Sequence, residues 1–150
     1  MTSGYQSLEI HVLMKSLYKR MKQEWDIRVA EDKLSITQFR MLYHLNLVGP
    51  QKVAALAEAL DVTPGAITGV ADKLFERGLV DRERGGDDRR VVFLRVTDQG
   101  KSVIETLLEK NKETVSAFFK HLPDEDVEHL KRILSDVLNH VDLLEKEQDN

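Results

Sequence analysis

The sequence predicts a mainly α-helical chain that carries one small β-hairpin. Three observations carry this. Through most of the 150 residues, apolar side chains recur every three or four positions, the spacing of a helix buried on one side. One short stretch, Leu79–Val96, alternates apolar and charged residues instead. The polar, glycine-containing run Gly85–Arg90 divides that stretch in two, as a hairpin turn does. The stretch from Val53 to Thr97 then reads helix, tight turn, helix, strand, turn, strand: a winged helix-turn-helix over about residues 34–97. Long helices flank it over about 5–30 and 98–146. At 150 residues the whole is expected to be one domain with a real core.

The elements follow in order. Tyr5–Arg28 is a long helix whose stripe is Ile10, Leu13, Leu17, Met21 and Trp25. Leu34 to Leu47 is the next. Ser35 with Gln38 forms a capping box, Leu34 with Phe39 the staple beside it, and Gly49-Pro50 the stop. Val53, Leu56, Ala57 and Leu60 make Val53–Leu60 a short amphipathic helix, broken by Asp61-Val62.

Thr63 offers an N-cap oxygen to the following helix. Pro64 fills the first helical position, where a missing N–H costs nothing. Its inner face is Ile67, Val70, Ala71 and Leu74; its outer face is Gly65, Thr68, Gly69, Asp72 and Lys73; Gly78 ends it. Two strands follow, Leu79–Arg84 and the β-branched Val91–Val96.

Thr97 caps a helix reaching about His121, with Ile104, Leu107, Leu108, Val115, Phe118 and Phe119 on its apolar face. Leu122-Pro123 breaks it. Asp124, Glu125 and Asp126 then favour a new helix start through the macrodipole. Val127, Leu130, Leu134, Val137, Val141 and Leu144 form a seam of period close to 3.5. A frayed tail is expected over Glu145–Asn150.

Composition removes several function classes. There is no cysteine, so disulfides, thiolate metal sites and thiol redox chemistry are excluded. No apolar run suggests a membrane span and the N-terminus lacks a signal-peptide layout, so a cytoplasmic location is the expectation. No HExxH, Ser/His/Asp set, phosphate loop or paired-carboxylate site stands out, so neither an enzyme nor a cofactor nor a metal is expected. His129 with Glu125 one turn before it reads as surface.

The net charge of −4 argues only superficially against nucleic acid. Residues 1–62 carry +1, residues 63–97 carry +1, and residues 98–150 carry −6. DNA senses the field near its phosphates, not the total.

The helix starting at Thr63 has the makings of a recognition helix. Thr63 and Thr68 suit phosphates or base edges, and Pro64 and Ala66 suit thymine methyls. Gly65 and Gly69 cost roughly 1 kcal/mol each in a helix. Either the backbone approaches DNA closely there, or internal packing demands it. Lys73 is an outward cation on the same helix. On the hairpin, Arg82, Arg84, Arg89 and Arg90 suit phosphate contact and a narrow minor groove. The terminal stripes exceed what one small winged helix must cover. They read either as packing within the chain or as helices that interdigitate with those of a second copy.

These residues carry a resemblance. The pattern Gly78-Leu79-Val80, Arg84, Asp88-Arg89-Arg90, Leu94, Val96-Thr97 and Gly100 resembles the wing signature of the MarR family of bacterial transcription regulators. Leu34-Ser35-Ile36-Thr37-Gln38-Phe39-Arg40-Met41-Leu42 is similar to that family's second helix. The resemblance implies a homodimeric, ligand-responsive repressor bound to double-stranded DNA at a pseudo-palindromic operator. It implies that Asp88 holds the Arg90 guanidinium in its minor-groove pose. Many members have a basic residue where Gly69 stands, so strong guanine readout is not carried over to this helix. The resemblance also implies a pocket for a small aromatic effector, with Met14, Trp25, Phe39, Met41 and Tyr43 as candidate lining. Two alternatives stay open: a winged helix that binds protein, or a helical small-molecule binder without DNA affinity.

Overall fold

The computed structural model describes residues 4–148, with side chains described as far as Leu144. Six helices and three strands follow in the order α1 (Gly4–Glu31), α2 (Ile36–Val48), β1 (Gln51–Lys52), α3 (Val53–Leu60), α4 (Pro64–Glu76), β2 (Val80–Arg84), β3 (Val92–Val96), α5 (Asp98–Phe119) and α6 (Asp124–Gln148). The chain divides into two compact units at Lys112–Glu113, a boundary that α5 runs through.

Local chemistry accounts for most element ends. At α2, the Gln38 backbone N–H donates to Ser35 Oγ at 3.1 Å, and the Ser35 N–H donates to Gln38 Oε1 at 2.8 Å. This is the expected capping box, with Leu34 just outside the helix rather than in it. At α4, the Thr63 hydroxyl accepts from the Ala66 N–H at 3.2 Å. The far end of α4 is a Schellman motif. Gly78 takes φ +69°, its N–H donates to the Phe75 carbonyl, and the Leu79 N–H donates to the Leu74 carbonyl. Thr97 holds the start of α5 twice over. Its hydroxyl oxygen accepts from the Gly100 N–H at 3.0 Å and donates to the Gly78 carbonyl at 2.7 Å.

The sheet has one strand more than the sequence announces. β3 lies in the middle, with β2 on one side and β1 on the other, all antiparallel. β1 is two residues long and has no apolar alternation to betray it. Its register sets Lys52 opposite Phe93, with Lys52 Nζ 5.9 Å from the centre of that ring.

The core of the first unit gathers Val29, Leu34, Phe39, Met41, Leu42, Leu45, Leu56, Leu60, Ile67, Leu74, Leu79, Val80, Leu94, Val96, Ile104 and Leu107. α3 and α4 meet at 111° and each buries its inner face there. A fully buried Leu contributes about 1.5–3 kcal/mol. Gly100 makes the docking of α5 possible. A Cβ at that position would stand 2.3 Å from the Leu79 carbonyl oxygen and 2.7 Å from Val96 Cγ2.

The terminal helices differ from the core helices. α1 buries only Val29, while Leu8, Leu13 and Tyr18 stand exposed. In the second unit, α6 leaves Leu134, Val137, Val141 and Leu144 exposed along the expected seam. α6 stays helical to Gln148, past the point where fraying was expected; Asp149, Asn150 and the side chains from Glu145 lie outside the described residues. Among the described residues, no single helix is long and apolar enough to cross a membrane.

Candidate nucleic-acid interface

The outer face of α4 and the hairpin that follows it carry the residues of the candidate site. Thr63, Pro64, Gly65, Ala66, Thr68, Gly69 and Lys73 are all exposed, because Ile67, Ala71 and Leu74 are turned into the core. Thr68 Oγ1 donates to the Pro64 carbonyl at 2.9 Å, which fixes its rotamer on the helix surface. Gly65 and Gly69 answer the question raised by their cost. A Cβ at either would meet nothing within 4 Å, and neither has a positive φ. Internal packing therefore does not require them.

The wing is a tight hairpin. Across its mouth the Gly85 N–H donates to the Val91 carbonyl at 2.9 Å, and inside it the Val91 N–H donates to the Asp88 carbonyl at 3.1 Å. Asp87 sits in this turn without a left-handed backbone; among the described residues only Lys33, Asp61, Gly49 and Gly78 have positive φ. Asp88 Oδ1 accepts from both the Arg90 N–H at 3.0 Å and Arg90 Nε at 3.2 Å. The Arg90 side chain is 92% exposed, so Asp88 steers it while leaving its outer nitrogens open. Arg84 and Arg89 are exposed with no ion-pair partner among the described residues.

Other basic residues are engaged within the protein. Arg82 pairs with Asp72 of α4 and stacks over Phe75. Arg95 pairs with its cross-strand partner Asp81 at 3.4 Å. Arg77, at the end of α4, donates to the backbone carbonyls of Lys33 at 2.8 Å and Asp32 at 3.0 Å. The Asp32 carboxylate in turn pairs with Lys110 of α5 at 3.3 Å. Sequence spacing offered no sign of these partners.

The candidate effector residues do not all come together. Trp25 meets Phe39 edge to face at 4.8 Å between ring centres, and Phe39 stacks on Tyr43 at 5.8 Å. Met41 is fully buried in the core. It lies two positions from both Phe39 and Tyr43, hence on the opposite side of α2. Met14 is 47% exposed and stands 11 residues before Trp25, roughly 16 Å away along α1. A cavity of about 470 Å³ opens elsewhere, between the end of α2, the sheet and the start of α5. Leu45, Asn46, Gly49, Asp81, Arg95 and Lys101 line it, and none of the five candidates does. Among the described residues no group of three His, Asp or Glu side chains is placed to hold a metal.

Comparison with known proteins agrees with this geometry. Residues 34–92 match the model of the MarR family. The chain is 31% identical over 112 residues to the uncharacterized HTH-type transcriptional regulator YpoP of Bacillus subtilis, covering 75% of this chain and 77% of that protein. Its fold is similar to the crystal structure of YusO from Bacillus subtilis, with TM-score 0.81, 26% identity, and coverage of 92% of this chain and 99% of that one. It is also similar in fold to a mutant of Staphylococcus aureus MepR bound to an oligodeoxyribonucleotide, with TM-score 0.75, 20% identity, and coverage of 88% and 97%. A helix-turn-helix whose outer face is bare, a three-stranded sheet ending in an arginine-tipped wing, and a relative alike over three quarters of both chains lead to one conclusion: the chain belongs to the MarR family of winged helix-turn-helix transcriptional regulators and is not an enzyme.

Proposed function

We propose that the protein is a cytoplasmic homodimeric repressor that binds a pseudo-palindromic operator and is released by a small aromatic effector. One observation carries the DNA-binding part. The exposed face of α4, with Thr68, Gly69 and Lys73, continues into a wing whose Arg84, Arg89 and Arg90 project outward. An α-helix with a bare, small-residue face suits the major groove, and a guanidinium at a hairpin tip suits the minor groove beside it. The similarly folded MepR mutant is itself bound to an oligodeoxyribonucleotide, which supports DNA as the partner. Two copies are needed because one short helix touches too few bases for useful specificity.

The apolar surfaces of α1 and α6 supply the dimer contact. In the chain alone, Leu13 is 68% and Leu138 64% exposed. Exposed apolar residues repeated along a helix mark a partner surface. The effector would meet the aromatic row Trp25, Phe39 and Tyr43, of which Trp25 and Tyr43 are half-buried.

The test is a mobility-shift titration on duplexes selected from a random pool, at several salt concentrations. Affinity should fall steeply as salt rises, because bound phosphates release counterions. Failure to select any duplex would remove DNA binding from the reading.

A further inference from the structure

Arg82 links strand β2 of the wing to the surface of α4. It lies mid-way along β2, yet its Nη2 donates to Asp72 Oδ1 of α4. Its guanidinium carbon also lies 4.8 Å from the centre of the Phe75 ring, a cation–π distance. Asp72 and Phe75 are three residues apart, so they are neighbours on the α4 surface. The planar guanidinium covers both at once, a flat, two-point grip that an ammonium cannot reproduce.

The charge logic points the same way. Asp72 belongs to the outer face of α4, where a bare carboxylate would repel phosphate. Paired, the two charges cancel locally and contribute little to the field that attracts DNA. Arg84, two residues further along the same strand, has no ion-pair partner among the described residues, so such pairing is not general to the arginines of β2.

We propose that Arg82 is a positioning residue rather than a DNA contact: with Asp72 and Phe75 it sets the angle between α4 and the wing, and so keeps a helix in the major groove in register with Arg90 in the minor groove. This rests on the DNA-binding reading above.

Two measurements separate the possibilities. The first is ¹⁵N relaxation of the free protein. Order parameters of residues 85–91 should fall in both Asp72→Asn and Arg82→Ala, while those of α2 and α3 stay unchanged. Wing order equal to wild type in both variants overturns the proposal, whether or not DNA is bound.

The second is titration of a duplex selected from a random pool by the wild type. If Arg82 touched phosphate, removing the nearby acid would tighten binding, lysine would substitute for it, and Arg82→Ala would lower the salt slope by about 1. If Arg82 positions the wing, Asp72→Asn weakens binding about tenfold. Arg82→Lys then fails to restore it, Arg82→Ala leaves the salt slope unchanged, and the double variant is no weaker than either single one. Tighter binding by Asp72→Asn, or wild-type binding by Arg82→Lys, overturns the proposal. A wild type that selects no duplex overturns the DNA-binding reading instead, and the relaxation result still decides the role of Arg82.

Discussion

Gly69 is the residue whose presence the folded chain itself least explains. It stands mid-way along an exposed helix face, in ordinary helical conformation, with open space where a side chain would go. Gly69→Ala should therefore stabilise the protein, by up to about 1 kcal/mol, because alanine loses less backbone entropy on folding. If α4 enters a groove with its backbone close to DNA, the same substitution should weaken operator binding. Thermal melting and a binding titration on one preparation test both halves. A variant that is stabilised and binds as tightly as wild type would show that the glycine serves no close approach. Gly78 is the opposite case. Its φ of +69° is demanded by the chain, since it closes the Schellman turn that aims Leu79 into the core.

The wing and α6 pose questions that belong to whole elements. The wing presents three outward arginines with different surroundings. Arg90 is steered by Asp88, and Arg84 and Arg89 project without ion-pair partners among the described residues. Arg90→Ala should weaken binding most on operators with narrow, A·T-rich flanks, where negative potential is concentrated. Arg84→Ala, as a phosphate contact, should weaken all sequences alike and reduce the salt slope by about 1. Titrations on operators with A·T-rich and G·C-rich flanks distinguish the two; equal loss on both for Arg90→Ala would remove the minor-groove role. On α6, Leu134 is 36% exposed in the single chain. If the seam is a dimer contact, Leu134→Glu buries a charge against the second copy. The dimer should then weaken by several kcal/mol. Light scattering across a dilution series should show a monomer mass where the wild type remains a dimer.

At the scale of the whole molecule, charge is distributed unevenly along the chain. The last 53 residues hold 13 Asp/Glu against 7 Lys/Arg, while residues 63–97 hold 6 against 7. The segment carrying α4 and the wing is thus slightly basic within an acidic chain. A dimer with two-fold symmetry presents two such segments, one per half-site. The operator should then be an inverted repeat whose half-sites lie about one helical turn, roughly 10 bp, apart. Hydroxyl-radical footprinting should show two protected patches related by the dyad. Protection of one asymmetric half-site by one chain would contradict both the dimer and the palindrome.

The sequence alone determined the helices, the two wing strands and most of their ends, because those ends rest on partners within four residues. Ser35 with Gln38, Thr63 with Ala66, and Gly78 after α4 are chemistry of this range, and each stands where its spacing implied. The amphipathic stripe of α4 likewise decided which of its residues would face outward. Tertiary structure decided what no spacing encodes. It paired β1 with β3, two residues with no alternating pattern to announce a strand. It sent Arg77 to carbonyls 44 and 45 positions away and drew Arg82 back to Asp72. It put Met41 in the core while its neighbours Phe39 and Tyr43 joined Trp25. The reason is geometric. A cap needs only the local backbone, whereas the partner of a long side chain depends on the angles between elements, and those are set by the packing of the whole core.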